Sequence, residues 1–141
     1  MVYVFYVNLR GAEEIWRKVA IPDVMTFKKF HEAIQEAFGW SGRHMHEFII
    51  RDPCSGDKVR ITENAGWTLR PLDTYDEEHE ILKRWVTPAT QIVYIYDFEK
   101  EYAHDIELIK VLDIPFDRVI CIDGEGQLPL SVDAAAVRDE F

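Results

Sequence analysis

Cysteine is scarce: Cys54 and Cys121 are the only two in 141 residues, and they form no Cys-x-x-Cys pair. Neither sits in the basic setting that favours a thiolate. Asp52 and Asp57 flank Cys54, and Cys121 follows an apolar Val-Ile pair. Free thiols in a reducing compartment are the expectation. The chain opens directly into a strand-like run without a basic leader, which points to the cytoplasm. Long apolar runs are missing as well. None approaches the roughly 20 residues that span a bilayer, so no membrane partner is expected. Basic residues are few, 16 against 26 acidic ones, for a formal charge of −10, and their longest clusters are the pairs Lys28-Lys29 and Lys83-Arg84. Such a charge repels phosphate backbones and anionic surfaces. Nucleic acid is therefore a disfavoured partner and a basic protein surface a favoured one. A phosphate-binding loop, a dinucleotide fingerprint, a nucleophile elbow and a His-Glu-x-x-His helix are all absent, so no cofactor is expected and no enzyme class is indicated.

What is present is enough for a core. Hydrophobic residues make up 48% of the chain and aromatics 13%, with Trp16, Trp40, Trp67 and Trp85 spread along it. A chain of this size buries roughly 68% of its unfolded surface, and residues 1–141 are expected to form a single domain. The stretch 91–111 organises the rest. Ile92, Tyr94, Tyr96 and Phe98 alternate with Val93, Ile95 and Asp97, giving an arm with two apolar faces for the middle of a sheet. Its partner arm sets His104, Ile106 and Leu108 against Asp105, Glu107 and Ile109. Glu99, Lys100 and Glu101 are a connection of hairpin length.

Residues 2–9 are almost continuously apolar, as in a strand buried on both faces, and 15–21 alternate as a second strand that Pro22 ends. Thr26 caps a helix whose Phe27, Phe30, Ile34 and Phe38 form one stripe and whose stop is Gly39. A strand follows over 44–51, then a turn over 52–57 and a short edge strand over 59–61. Thr74-Tyr75-Asp76-Glu77 matches a capping box and predicts a second helix over 75–85. Residues 118–122 read as a last strand, 124–126 as a loop and 132–137 as weakly helical, while 62–71 carry no clear pattern. The fold class is α+β, a mainly antiparallel sheet with two principal helices, its first half ubiquitin-like in the order β-β-α-β.

Several landmarks recur together. Ile15-Trp16-Arg17 precedes a helix ending Phe38-Gly39-Trp40, followed by His44-Met45-His46-Glu47-Phe48. Further on stand Tyr94-Ile95-Tyr96-Asp97-Phe98, His104-Asp105-Ile106-Glu107-Leu108, and Cys121 ahead of Gly124-Glu125-Gly126. Over nearly its whole length the chain resembles the family named after open reading frame three of a root-inducing plasmid. The resemblance implies an α+β fold. Some members carry a transposon-passenger or resolvase label, which implies a mobile-element accessory role in contact with DNA. A serine recombinase needs a nucleophilic serine among arginines, and none of Ser41, Ser55 and Ser131 has that setting.

Three chemistries follow from the residues. Asp97 and His104, facing each other across the hairpin, form an acid–base pair, and the carboxylates around His104 favour its charged form if they are close in space. His44, His46, His104 and Cys121 are of ligand types suited to zinc, with Asp97 nearby, yet the spacing is weak and no metal is assigned. The favoured reading is a non-catalytic protein- or peptide-binding module with Trp40, His46, Trp67 and Tyr102 as contact residues and the edge at 59–61 as a docking strand. A small metal-dependent or acid–base enzyme is the alternative. The sequence sets no oligomeric state.

Overall fold

The structure, a computed structural model, describes residues 1–40, 42, 44–52, 54–63 and 73–126. Within them the elements run β1 (Val2–Leu9), β2 (Trp16–Pro22), α1 (Phe27–Phe38), β3 (His46–Arg51), β4 (Lys58–Thr62), β5 (Asp73–Asp76), α2 (Leu82–Trp85), β6 (Gln91–Tyr96), β7 (Tyr102–Leu112) and β8 (Ile120–Glu125). All eight strands join one sheet ordered β5-β4-β3-β6-β7-β1-β2-β8. Every pair is antiparallel except β4–β5, so the molecule is α+β with a mainly antiparallel sheet. The first elements follow in the order β-β-α-β. The sheet, however, places the hairpin β6–β7 between β3 and β1.

That hairpin is the middle of the sheet. Ile92 pairs with Ile106 and Tyr96 with Tyr102, and β7 then runs beside β1 from Leu9↔His104 to Val2↔Leu112. His104, Ile106 and Leu108 are buried while Asp105, Glu107 and Ile109 are exposed, the two-residue period of a sheet with one covered face. At the tip Asp97 (φ 63°) and Glu101 (φ 54°) adopt the left-handed conformation. Asp97 tolerates it because its carboxylate accepts from the amides of Glu99 and Lys100, at 3.2 and 3.3 Å.

α1 covers one face. Thr26 Oγ1 accepts from the Lys29 amide at 3.2 Å, and the free amides of Phe27 and Lys28 donate to the carbonyls of Glu80 and Glu77. Gly39, at φ 74°, ends the helix. Phe30 stacks on Phe5 and Phe48, with ring centroids 4.5 and 5.5 Å apart, and Phe27, Ile34 and Phe38 bury the rest of the stripe. Each such side chain contributes about 1.5–3 kcal/mol. On the opposite face Val2, Val4 and Ala20 cluster with Leu112 and Phe116, which explains why β1 is apolar on both sides.

Three expectations fail for identifiable reasons. The second helix is only Leu82–Trp85, because Asp73–Asp76 pairs in parallel with β4 and Glu77 spends its side chain on His46 instead of on a helix cap. The ladder outweighs the local capping pattern. Residues 59–61 are not an edge, since β4 has β3 on one side and β5 on the other. The last strand extends through Gly124, where a loop was expected. A Cβ there would lie 2.5 Å from Arg17 Cδ, so the missing side chain is what lets β8 approach β2. The readings over 128–141, and 64–71 of the unpatterned stretch 62–71, lie outside the described residues.

Candidate functional site

The candidates singled out by sequence do not converge. His104, on β7, is fully buried, with Phe38, Trp40 and Tyr94 rings around it. The Trp40 indole N–H donates to its Nε2 at 3.2 Å, so Nε2 is unprotonated and Nδ1 carries the hydrogen that the Tyr94 carbonyl accepts at 3.1 Å. Burial, only partly offset by bonds to backbone carbonyls, lowers its pKa to about 4. Both nitrogens are engaged inside the core, and none is left for a substrate. Asp97 does not bond to it. Its carboxylate orders the hairpin tip, and His44 Nδ1 stands 3.8 Å away.

The metal-type residues are equally scattered. Cys121 lies on β8, separated from His46 on β3 by β6, β7, β1 and β2. Among the described residues no three His, Cys, Asp or Glu side chains gather as a metal-binding group. Of the aromatic contact candidates, Trp40 is 6% exposed and stacks on half-buried Tyr102 at 4.7 Å, so it belongs to the core and not to the surface. Trp67 lies outside the described residues.

His46 is the exception, and it draws in residues that sequence reading passed over. On the core face of β3, its Nε2 lies 2.5 Å from Glu77 Oε1, with both side chains nearly inaccessible. His31 of α1 stacks on it, rings 3.5 Å apart and within 6° of parallel. His31 Nδ1 meets the Tyr94 hydroxyl at 2.6 Å, and Gln35 Nε2 donates to the same hydroxyl at 2.8 Å. Burial first, then His46 and Lys28, push the His31 pKa down to about 3, so the ring is neutral and accepts from Tyr94. Burial also raises the Tyr94 pKa, against the Gln35 bond that lowers it. The available signal was spacing: His31 and Gln35 are one helical turn apart beside the apolar stripe, and Tyr94 shares a strand face with Tyr96. His46 Nδ1 has no hydrogen-bond partner, the Glu63 carboxylate being 3.9 Å off. Although a carboxylate-held imidazole is a proton acceptor by type, this one is sealed from solvent.

The accessible feature is at the other end of the sheet. β8 is exposed along all six residues and, among the described residues, pairs only with β2. Ile120 and Ile122 are 42% and 48% exposed. Between β8 and α1 runs a groove of about 690 Å³ lined by Lys29, Glu32, Ala33, Glu36, Ala37 and the segment Val119 to Cys121. Arg17 holds the groove's end together. Its guanidinium lies over the Phe38 ring and donates to the carbonyls of Ala37 at the helix C-terminus and of Gly126 just past β8, both at 2.9 Å. The small side chains of Ala33 and Ala37 leave the groove its depth.

No helix among the described residues is long and apolar enough to cross a membrane. A crystal structure of a protein of unknown function, MM3350 from Methanosarcina mazei Go1, superposes with a TM-score of 0.80 at 25% identity, covering 99% of this chain and 78% of that one. The uncharacterised protein y4hQ of Sinorhizobium fredii is 28% identical over 95 residues, 67% of this chain. The chain spans less than half of that relative, 45% of its length. Residues 1–132 match the plasmid pRiA4b ORF-3-like protein family, and the chain belongs to that family.

Proposed function

We propose that the protein is a non-catalytic binding module that takes an extended segment of a partner protein onto the edge of β8 that no other described strand pairs with. The observation that carries this reading is the edge itself. Six consecutive residues stand exposed on the strand that is outermost among the described residues, and a strand edge with no partner there is a template for main-chain hydrogen bonding. The polar residues that acid–base chemistry would need are turned inward: His104 is satisfied on both nitrogens and His46 Nδ1 is inaccessible. With a formal charge of −10 the protein favours a basic partner and repels DNA, which weighs against an accessory role on a nucleic-acid backbone. Two exposed free cysteines suit a reducing compartment, and the cytoplasm is the compartment we assign.

Selection from a displayed library of extended peptides tests the reading. Enriched peptides are expected to shift the amide resonances of 120–125 and to lose binding when Ile120 and Ile122 are both replaced by lysine. These exposed positions tolerate the change without disturbing the core. Peptides that bind while leaving the β8 amides unmoved would overturn it.

A further inference from the structure

Resting on strand addition at β8, we infer that the groove between α1 and β8 selects its partner by charge, receiving a lysine or arginine side chain from the added strand. A strand laid beside β8 sits about 4.8 Å from it and turns alternate side chains toward α1. That side of the site is the groove. Ala33, Ala37 and Cys121 are among the residues that line it, and their small side chains offer apolar surface to the methylene stem of a long side chain. Its rim carries Lys29, Glu32 and Glu36, one positive and two negative charges. Lys29 pairs with Glu32 at 3.7 Å, whereas Glu36, one helical turn further on, has no ion-pair partner among the described residues. The unmatched charge over the groove is therefore the Glu36 carboxylate. A basic side chain lying along Ala33 and Ala37 places its head group between Glu32 and Glu36. An acidic side chain in the same place meets Glu36 directly. The exposed strand edge and the groove's charge thus point to one occupant, an extended basic segment of a partner protein.

The probe is an alternating Val-Thr peptide carrying lysine, norleucine or glutamate at its central inward position, with affinity measured by fluorescence anisotropy on the full chain. For the native protein the lysine peptide is expected to bind about tenfold tighter than the glutamate peptide, and Glu36→Lys to reverse that order, since charge reversal at a rim changes attraction into repulsion. Glu36 is exposed, so the substituted protein stays folded, which the unchanged dispersion of its amide spectrum verifies. Equal affinity for all three peptides, or an order unaltered by Glu36→Lys, overturns charge selection and leaves strand addition standing. Failure of every peptide to bind removes strand addition, and the selection that rests on it.

Discussion

His104 shows how far sequence neighbourhood can mislead about a histidine. Glu101, Asp105 and Glu107 surround it along the chain, and a charged ring poised for proton transfer is what that pattern suggests. The strand period sends Asp105 and Glu107 to the exposed face while His104 enters the core, where burial dominates and holds it neutral. Its role, to accept from Trp40 and donate to the Tyr94 carbonyl, depends on a residue 64 positions away, which no local pattern contains. The same holds for the contact between His46 and Glu77. A measurable consequence follows for acid stability. In the folded protein the His104 pKa is about 4 against a usual 6.5, so between those values the unfolded chain binds the proton that the folded chain refuses. Stability is then complete above about pH 6.5 and falls as the pH drops toward 4, by roughly 3 kcal/mol for this one group. His31 adds in the same direction. Replacing His104 with glutamine, which can also accept from Trp40 and donate to the Tyr94 carbonyl, should flatten part of that slope at some cost in packing. Urea midpoints measured from pH 7.5 to 4 decide it: a slope equal in the two proteins would show that His104 is not the responsible group.

At the level of elements, legibility tracked how local the determinants were. α1 was readable end to end because Thr26, the phenylalanine stripe and Gly39 all act within the helix. The hairpin 91–111 was readable because alternation and a short connection specify it. The helix expected over 75–85 was not, since Asp73–Asp76 takes its partner from β4 and a parallel ladder leaves no mark in a single strand's sequence. β8 lies between these cases: its apolar start is visible in the sequence, but the need for glycine at 124 comes from Arg17, which packs against it from another strand. Arg17 joins the end of α1 to the end of β8 by donating to the carbonyls of Ala37, Glu125 and Gly126, the first of them among the helix-terminal carbonyls that lack an intrahelical donor. Arg17→Ala should therefore loosen β8 selectively. Charge-assisted bonds to carbonyls are worth about 1.5–3 kcal/mol each before solvent competes, and part of this network is exposed, so a loss of about 2 kcal/mol is expected. Hydrogen exchange should accelerate at 120–125 while the β6–β7 amides stay protected. Uniform acceleration across the sheet would mean that Arg17 supports the whole fold and not this edge.

At the scale of the whole molecule, the order β5-β4-β3-β6-β7-β1-β2-β8 puts the last described strand beyond the first hairpin and the central hairpin between the two halves. Strand order was the least legible property, since alternation tells a strand which face is buried but not which neighbour it has. Net charge, by contrast, is fully legible and acts at this scale. A charge of −10 on 141 residues creates a field that reaches a basic partner before any contact forms. Ions screen that field over about 10 Å at 0.1 M salt, so the effect belongs to the encounter and much less to the closed complex, where strand hydrogen bonds and groove contacts are short-ranged. The association rate of a lysine-bearing peptide with the β8 edge should accordingly fall about tenfold or more between roughly 0.02 and 0.5 M sodium chloride, while its dissociation rate changes by less than about threefold. Stopped-flow mixing across that range separates the two rates. If salt instead left association unchanged and accelerated dissociation, the charge would act only in the groove at Glu36, and long-range steering by the whole molecule would be refuted.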